Sequence, residues 1–296
     1  MHKEDMDMDR IKREKLKMIT AMALFGTIGI FVRYIPLPSS IIAFCRGLVG
    51  MLFLLLVTLL RKSSISGQAI RKNLLWLILS GAFLGINWIL LFEAYRYTTV
   101  ATATLCYYLA PIIVILAAPV LLKEKLTVRK IICTIVALIG MVCVSGVLQN
   151  GIPTLGEAKG ILFGLGAAVL YATIILLNKK IHDISAYDKT IMQLGVSALV
   201  LVPYCLLTED IGALSVEPKV LLLLLFVGIV HTGVTYFLYF GAIEHIHAQS
   251  VAIISYLDPV IAVLLSIFVL GEGMNVIGII GAVLVLGAAL MSELEK

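Results

Sequence analysis

The sequence predicts an all-α membrane protein of ten transmembrane helices arranged as two inverted five-helix repeats, and three observations carry that expectation. Of 296 residues, 61% are hydrophobic and 14% are charged, a balance that a water-soluble domain could neither bury in one core nor expose. Apolar runs recur along the chain with short polar interruptions, each long enough to cross a hydrocarbon layer of about 30 Å at roughly 1.5 Å per residue. The second half of the chain also repeats part of the first, at an offset of half its length.

The ten runs cover residues 17–33, 40–60, 74–92, 99–122, 130–148, 160–178, 189–207, 219–240, 248–270 and 275–292. The first follows a charged stretch of sixteen residues, 1–16, with no small-residue cleavage site before the second run. It therefore reads as a retained helix and not as a signal peptide. Gly81/Gly85, Gly160/Gly164 and the series Gly278, Gly281, Gly287 let helices approach closely. Cys45, Cys106, Cys133, Cys143 and Cys205 all fall within apolar runs and show no CxxC spacing. They read as small packing residues, and no metal or cofactor site is expected.

Basic residues collect on alternate loops. Six lie within 1–17, followed by Arg61, Lys62, Arg71 and Lys72, then Lys123, Lys125, Arg129 and Lys130, then Lys179, Lys180, Lys189 and finally Lys296. The opposite loops hold Arg33, Arg96, Lys159 and Lys219. This asymmetry places both termini in the cytoplasm and the chain in the inner (plasma) membrane. The net charge of +5 is thus a topology signal, aided by anionic lipid, and not a nucleic-acid footprint.

Residues 91–126 set against 239–274 give nine identities in thirty-six ungapped positions, including Tyr108/Tyr256, Leu109/Leu257, Pro111/Pro259 and Glu124/Glu272. Such a match implies duplication of a five-helix unit, with 17–148 and 160–292 as the two copies and 1–16 as a basic cytoplasmic segment. Five is odd, so the second copy inserts the other way round, an architecture typical of carriers. Pro111 and Pro259 are expected near the middle of helices 4 and 9, where each frees a backbone carbonyl beside a cavity. Glu124 and Glu272 read as interfacial caps or gate partners at opposite faces.

The segments "YYLAPIIVILAAPVLLKEKLT" at 107–127 and "SYLDPVIAVLLSIFVLGEGMN" at 255–275 resemble the helix 4 and helix 9 signature of the EamA family, within the drug/metabolite transporter superfamily. The resemblance extends over nearly the whole chain. It implies ten helices around a central substrate cavity, export of amino acids or other small metabolites, and helices 5 and 10 as peripheral packing or homodimer elements. Helix 1 carries Phe25-Gly26 where many relatives have Trp-Gly.

Asp258 is the sharpest chemical signal, because a carboxylate at mid-depth costs roughly 2.5–3.5 kcal/mol on insertion scales. It reads either as a proton-coupling or cation-binding group or as a cap beside the Pro259 kink. His231, Thr235 and Tyr239 recur at i, i+4 and i+8, and His231 could relay a proton to Asp258 or simply bond a neighbouring helix. Arg46 stays charged and needs an anion, from Asp258, from Glu93 or from a substrate carboxylate. Trp88, Tyr107, Tyr108, Tyr171, Tyr236 and Tyr256 cluster at mid-depth, where hydroxyls need partners and rings can cradle a ligand or bond between helices. Asn87, Gln193 and Thr27 add neutral polar groups.

These residues fit a secondary carrier exporting small amphipathic metabolites by alternating access, with exchange for protons as a further expectation. An uptake carrier for a small organic cation such as choline is the alternative. An intramembrane enzyme is remote, since HExxH, GxSxG, GxGD and acidic phosphate-metal motifs are absent from the sequence. A receptor would need longer loops, a channel a filter-like loop, and a primary pump a separate ATP-binding subunit.

Overall fold

A computed structural model describes residues 2–98, 103, 106–144, 158–214, 217–270 and 276–293. Most of the start of the fourth expected run, the tail of the fifth at 145–148, and Glu272 lie outside those residues. The elements are α1 (His2–Val32), α2 (Ser39–Leu60), α3 (Gly67–Tyr97), α4 (Ala110–Leu121), α5 (Val128–Val144), α6 (Ala158–Asn178), α7 (Ala186–Thr208), α8 (Pro218–Phe226), a π-helical segment Val227–Val234, α9 (Thr235–Ile243), α10 (Ala248–Ile254), α11 (Leu257–Leu270) and α12 (Val276–Glu293). A single 3₁₀ turn, Ile211–Ala213, follows α7.

Six of the described helical stretches are long and apolar enough to cross a membrane: Asp9–Val32, Ser39–Leu60, Gly67–Tyr97, Ala158–Asn178, Ala186–Thr208 and the α8–π–α9 rod Pro218–Ile243. Shorter apolar helices accompany them. The basic segment 2–16 does not stand apart as a tail but forms the first turns of α1, where Glu14 and Met18 are buried.

Local chemistry sets the ends. Ser66 accepts from the Ala69 amide and Ser185 from the Asp188 amide, so each serine caps its helix. Asp188 in turn accepts from the Ser66 amide at 3.3 Å, tying the start of α7 to that of α3. The prolines of the duplicated motif interrupt nothing by themselves. The chain turns at Tyr108–Leu109 and again at Ser255–Tyr256, and Pro111 and Pro259 then occupy the opening turns of α4 and α11. A missing amide hydrogen costs nothing there, because no intrahelical acceptor awaits it. The expected mid-helix kinks are therefore full helix breaks placed just before each proline.

Close backbone contacts hold the helices. A Cβ at Gly81 or Gly85 would meet α7 carbonyls at 2.8 Å, and one at Gly140 would meet the Gly281 carbonyl at 2.7 Å. Gly81 and Gly85 are packing residues, as expected, and Gly140 joins them, whereas a Cβ on Gly287 would meet nothing within 4 Å, so that glycine is not needed for a close approach. The helix pairs themselves follow a pattern. α5 packs along α12, and α2 along α7. α3 packs on α6 and α7, while the α8–π–α9 rod packs on α1 and α2. α4 packs on α6, and α11 on α1. Under the sequence offset that aligns Tyr108 with Tyr256, each of these contacts maps onto itself or onto another of the set.

Candidate functional site

Where α1, α2, α3, α4, α6, α9 and α11 converge, a cavity of about 260 Å³ opens. Its walls are aromatic: Phe25 from α1, Trp88, Phe92 and Tyr95 from α3, Tyr107 and Tyr108 from the break before α4, Tyr171 from α6 and Tyr236 from α9. The rings lock one another. Tyr236 meets Phe25 edge-on at 5.0 Å and Trp88 at 6.1 Å, and Tyr107 lies 5.4 Å from Tyr171. Ser255 and Asp258, either side of the α10–α11 break, complete the wall with Arg46 of α2.

The two charged groups decide what this cavity can do. Arg46 donates from Nε to the Thr232 hydroxyl at 3.1 Å, and its guanidinium lies 5.5 Å from the Trp88 ring centre. Among the described residues no carboxylate sits within ion-pairing distance of it. Glu93 is engaged elsewhere, accepting from Arg96 at 2.9 Å and from the Tyr204 hydroxyl at 2.5 Å. Asp258 lines the same cavity, as does Tyr108. The site thus presents one guanidinium and one carboxyl group with no ion pair between them.

Thr232 owes its position to the π-helical segment. In that wider register its hydroxyl donates to the Val227 carbonyl, five residues back, while its oxygen still accepts from Arg46. Thr235 donates to Val230 in the same i–5 fashion. π-turns of this kind are frequent at functional sites.

Seven of the expected residues line the cavity: Arg46, Trp88, Tyr107, Tyr108, Tyr171, Tyr236 and Asp258. Three others sit outside its wall. Asn87 is buried against α6 and donates to the Ala167 carbonyl at 2.6 Å. His231 is clasped between Phe31 and Phe226 and shares a 2.8 Å hydrogen bond with Thr27, with no bond to Asp258. Tyr256 donates to the Tyr108 carbonyl at 3.2 Å, joining the two helix breaks. Sequence reasoning missed Leu91, Phe92 and Tyr95, although they follow Trp88 at i+3, i+4 and i+7 on one helix face.

Phe92 and Tyr95 also border a second cavity of about 320 Å³, with Ser40, Tyr204 and Glu209. This second cavity lies toward the end of the molecule formed by the α1–α2 loop and the C-terminus of α7, on the other side of Phe92 and Tyr95 from the central one. The other end, which carries the basic loops, is closed by polar contacts. Glu124 accepts from the Ala248 and Gln249 amides at 2.8 and 3.3 Å, capping the first turn of α10. Lys189 pairs with Glu244 at 3.1 Å, Lys179 donates to the Ile246 carbonyl, and Asn73 donates to the His182 carbonyl.

The EamA-like transporter family matches this sequence twice, over residues 14–146 and 158–293. The chain belongs to that family. An uncharacterized transporter of Bacillus subtilis strain 168, YxxF, is 31% identical over 284 residues, covering 95% of this chain and 89% of its own length. An uncharacterized transporter of Archaeoglobus fulgidus is 25% identical, with 94% and 95% covered. One solved crystal structure, at 18% identity, superposes with a TM-score of 0.85 over 96% of this chain and 97% of the other, a likeness of fold. This EamA-family chain is a multi-pass membrane transporter, and its relatives carry transporter names and no enzymatic ones.

Proposed function

We propose that this EamA-family protein is a secondary carrier that binds a small zwitterionic metabolite, of amino-acid type, in the central cavity and moves it by alternating access. The carrying observation is that Arg46 and Asp258 face one cavity without an ion pair between them. Charges withdrawn from water gain most from a partner of opposite sign. A ligand bearing a carboxylate and an ammonium satisfies both groups, and the tyrosine and tryptophan rings cover its apolar part. A lone organic cation such as choline suits the rings and Asp258. It would also meet the Arg46 guanidinium in the same space, and that repulsion ranks the choline reading second.

Alternating access rests on ten helices in two inverted repeats. The interchangeable helix contacts and the two family matches support that architecture, with one repeat before and one after residue 150. The basic loops favour a plasma-membrane orientation with both termini in the cytoplasm, so the closed basic end is the cytoplasmic gate and the open cavity faces outward. Export follows the family resemblance. Exchange for protons would use Asp258, which a bound ammonium or a proton neutralises in turn. The outward faces of α5 and α12, with Ile132, Ile135, Ile280 and Val283 exposed, meet lipid or a second copy of the chain.

A thermal-shift screen of the purified protein tests the ligand class, since whatever binds the folded state alone raises the melting midpoint. Amino acids should shift it, and quaternary amines and simple monocarboxylates should not. A shift from quaternary amines alone would replace this reading with the cation carrier.

A further inference from the structure

The closed basic end contains a cavity of about 620 Å³, larger than the central one and with no lining residue in common with it. Four lysines line it, Lys123, Lys125, Lys130 and Lys179, against two carboxylates, Glu124 and Glu244. Both carboxylates already hold other partners. Glu124 holds the α10 amides and lies 3.8 Å from His247, and Glu244 holds Lys189. Lys130 is only 7% exposed, yet its ammonium has no acceptor among the described residues. Lys179 turns to a backbone carbonyl instead of a carboxylate. Burial pulls its ammonium down to about 8, against the opposing pull of Glu124 and Glu244.

Four ammonium groups gathered round one cavity repel one another, and an anion from outside the chain relieves that repulsion. The walls come from both halves: the α4–α5 turn with Lys123 and Lys125, the start of α5 with Lys130, the α6–α7 loop with Lys179, and the α9–α10 loop with His247. We propose that this cavity binds a phosphate-bearing anion, either a phospholipid headgroup or a soluble phosphate compound, distinct from the transported ligand. Its several oxygens can accept from Lys130, Lys125 and Lys179 together. Bound there, it ties the two halves together at the basic end and stabilises the closed arrangement.

The test uses the purified full chain and three variants: Lys130→Gln, Lys125→Gln, which alters an exposed side chain and so keeps the question open should Lys130→Gln fold poorly, and Arg71→Gln as an exposed charge outside the cavity. Inorganic phosphate is titrated in detergent at constant ionic strength. Separately, melting is compared, in buffer without inorganic phosphate, between nanodiscs of phosphatidylglycerol and of phosphatidylcholine. The expected result is a saturable rise in melting midpoint with phosphate, phosphatidylglycerol or both, in the parent and Arg71→Gln alike. Binding should weaken at least about tenfold in the cavity variants. A response to phosphate assigns a soluble source, and one confined to phosphatidylglycerol assigns a lipid. No rise with either probe, or an equal rise in the parent and the cavity variants, overturns the proposal.

Discussion

Thr232 and Trp88 hold Arg46 at the cavity wall, and that makes Thr232 the residue to alter without touching a charge. Thr232→Val removes the acceptor for Arg46 Nε and the hydroxyl that donates to Val227. The expected loss is about 1 kcal/mol of stability and several-fold weaker ligand affinity, read by melting and equilibrium binding; unchanged affinity would remove Thr232 from the account. At this scale the sequence was informative where chemistry is rare and silent where geometry intervenes. A carboxylate and a guanidinium inside apolar runs stand out at once, and both reach the cavity. His231 stood out equally, but in the π-helical register the expected i, i+4, i+8 stripe disperses: His231 bonds Thr27 on α1, Thr235 bonds its own helix and Tyr239 bonds Tyr171 on α6. No residue type announces a π-turn. Asn87 lies outside the cavity wall because its Nδ2 donates to the Ala167 carbonyl, while its buried Oδ1 has no hydrogen-bond partner among the described residues.

Two contacts between elements position the site. A Cβ on Gly26 would meet the Asp258 carbonyl at 2.7 Å and Ile261 Cβ at 2.8 Å, so α1 lies directly on the opening turn of α11. Gly26→Ala should force that turn outward, costing about 1–3 kcal/mol and displacing Asp258. A variant with parental melting and ligand affinity would show that α1 does not set the carboxylate. At the basic end, Glu124 caps α10. Burial by itself raises this carboxyl, but the nearby His247 ring and the hydrogen bonds from the Ala248 and Gln249 amides outweigh it and hold the group below the ordinary 4.5. A carboxylate depressed in the folded state contributes stability that is complete above its unfolded value and is lost as pH falls through the folded one. The cap should therefore weaken below about pH 4.5. Glu124→Gln should cost about 1–3 kcal/mol at neutral pH and speed hydrogen exchange of the 248 and 249 amides; exchange at the parental rate would show that the cap does not hold α10. The proline pair was legible as a matched signal in both halves. Its effect was not, because a break just upstream turns each expected kink into a helix start.

Across the whole molecule, the apolar runs made the membrane class readable and the Tyr-Leu-x-Pro pair pointed to the two family matches, since both are recorded in residue order. The cavities were not readable, because each gathers side chains from helices far apart in sequence. The proposed orientation predicts that reporter domains fused to either terminus are active only in the cytoplasm, and a periplasmically active fusion at one end would rule out an even number of crossings. The central claim is that Arg46 and Asp258 share out the two charges of one ligand, and one binding measurement addresses it most directly. Affinities are determined for the best zwitterionic ligand, for its carboxyl-blocked analogue and for its deaminated analogue, each with the parent, Arg46→Gln and Asp258→Asn. The account predicts that the parent prefers the zwitterion to both analogues by about tenfold or more, that Arg46→Gln loses its preference over the carboxyl-blocked compound, and that Asp258→Asn loses its preference over the deaminated one. The same order of affinities in all three proteins, or tightest binding of the carboxyl-blocked cation by the parent, would contradict it.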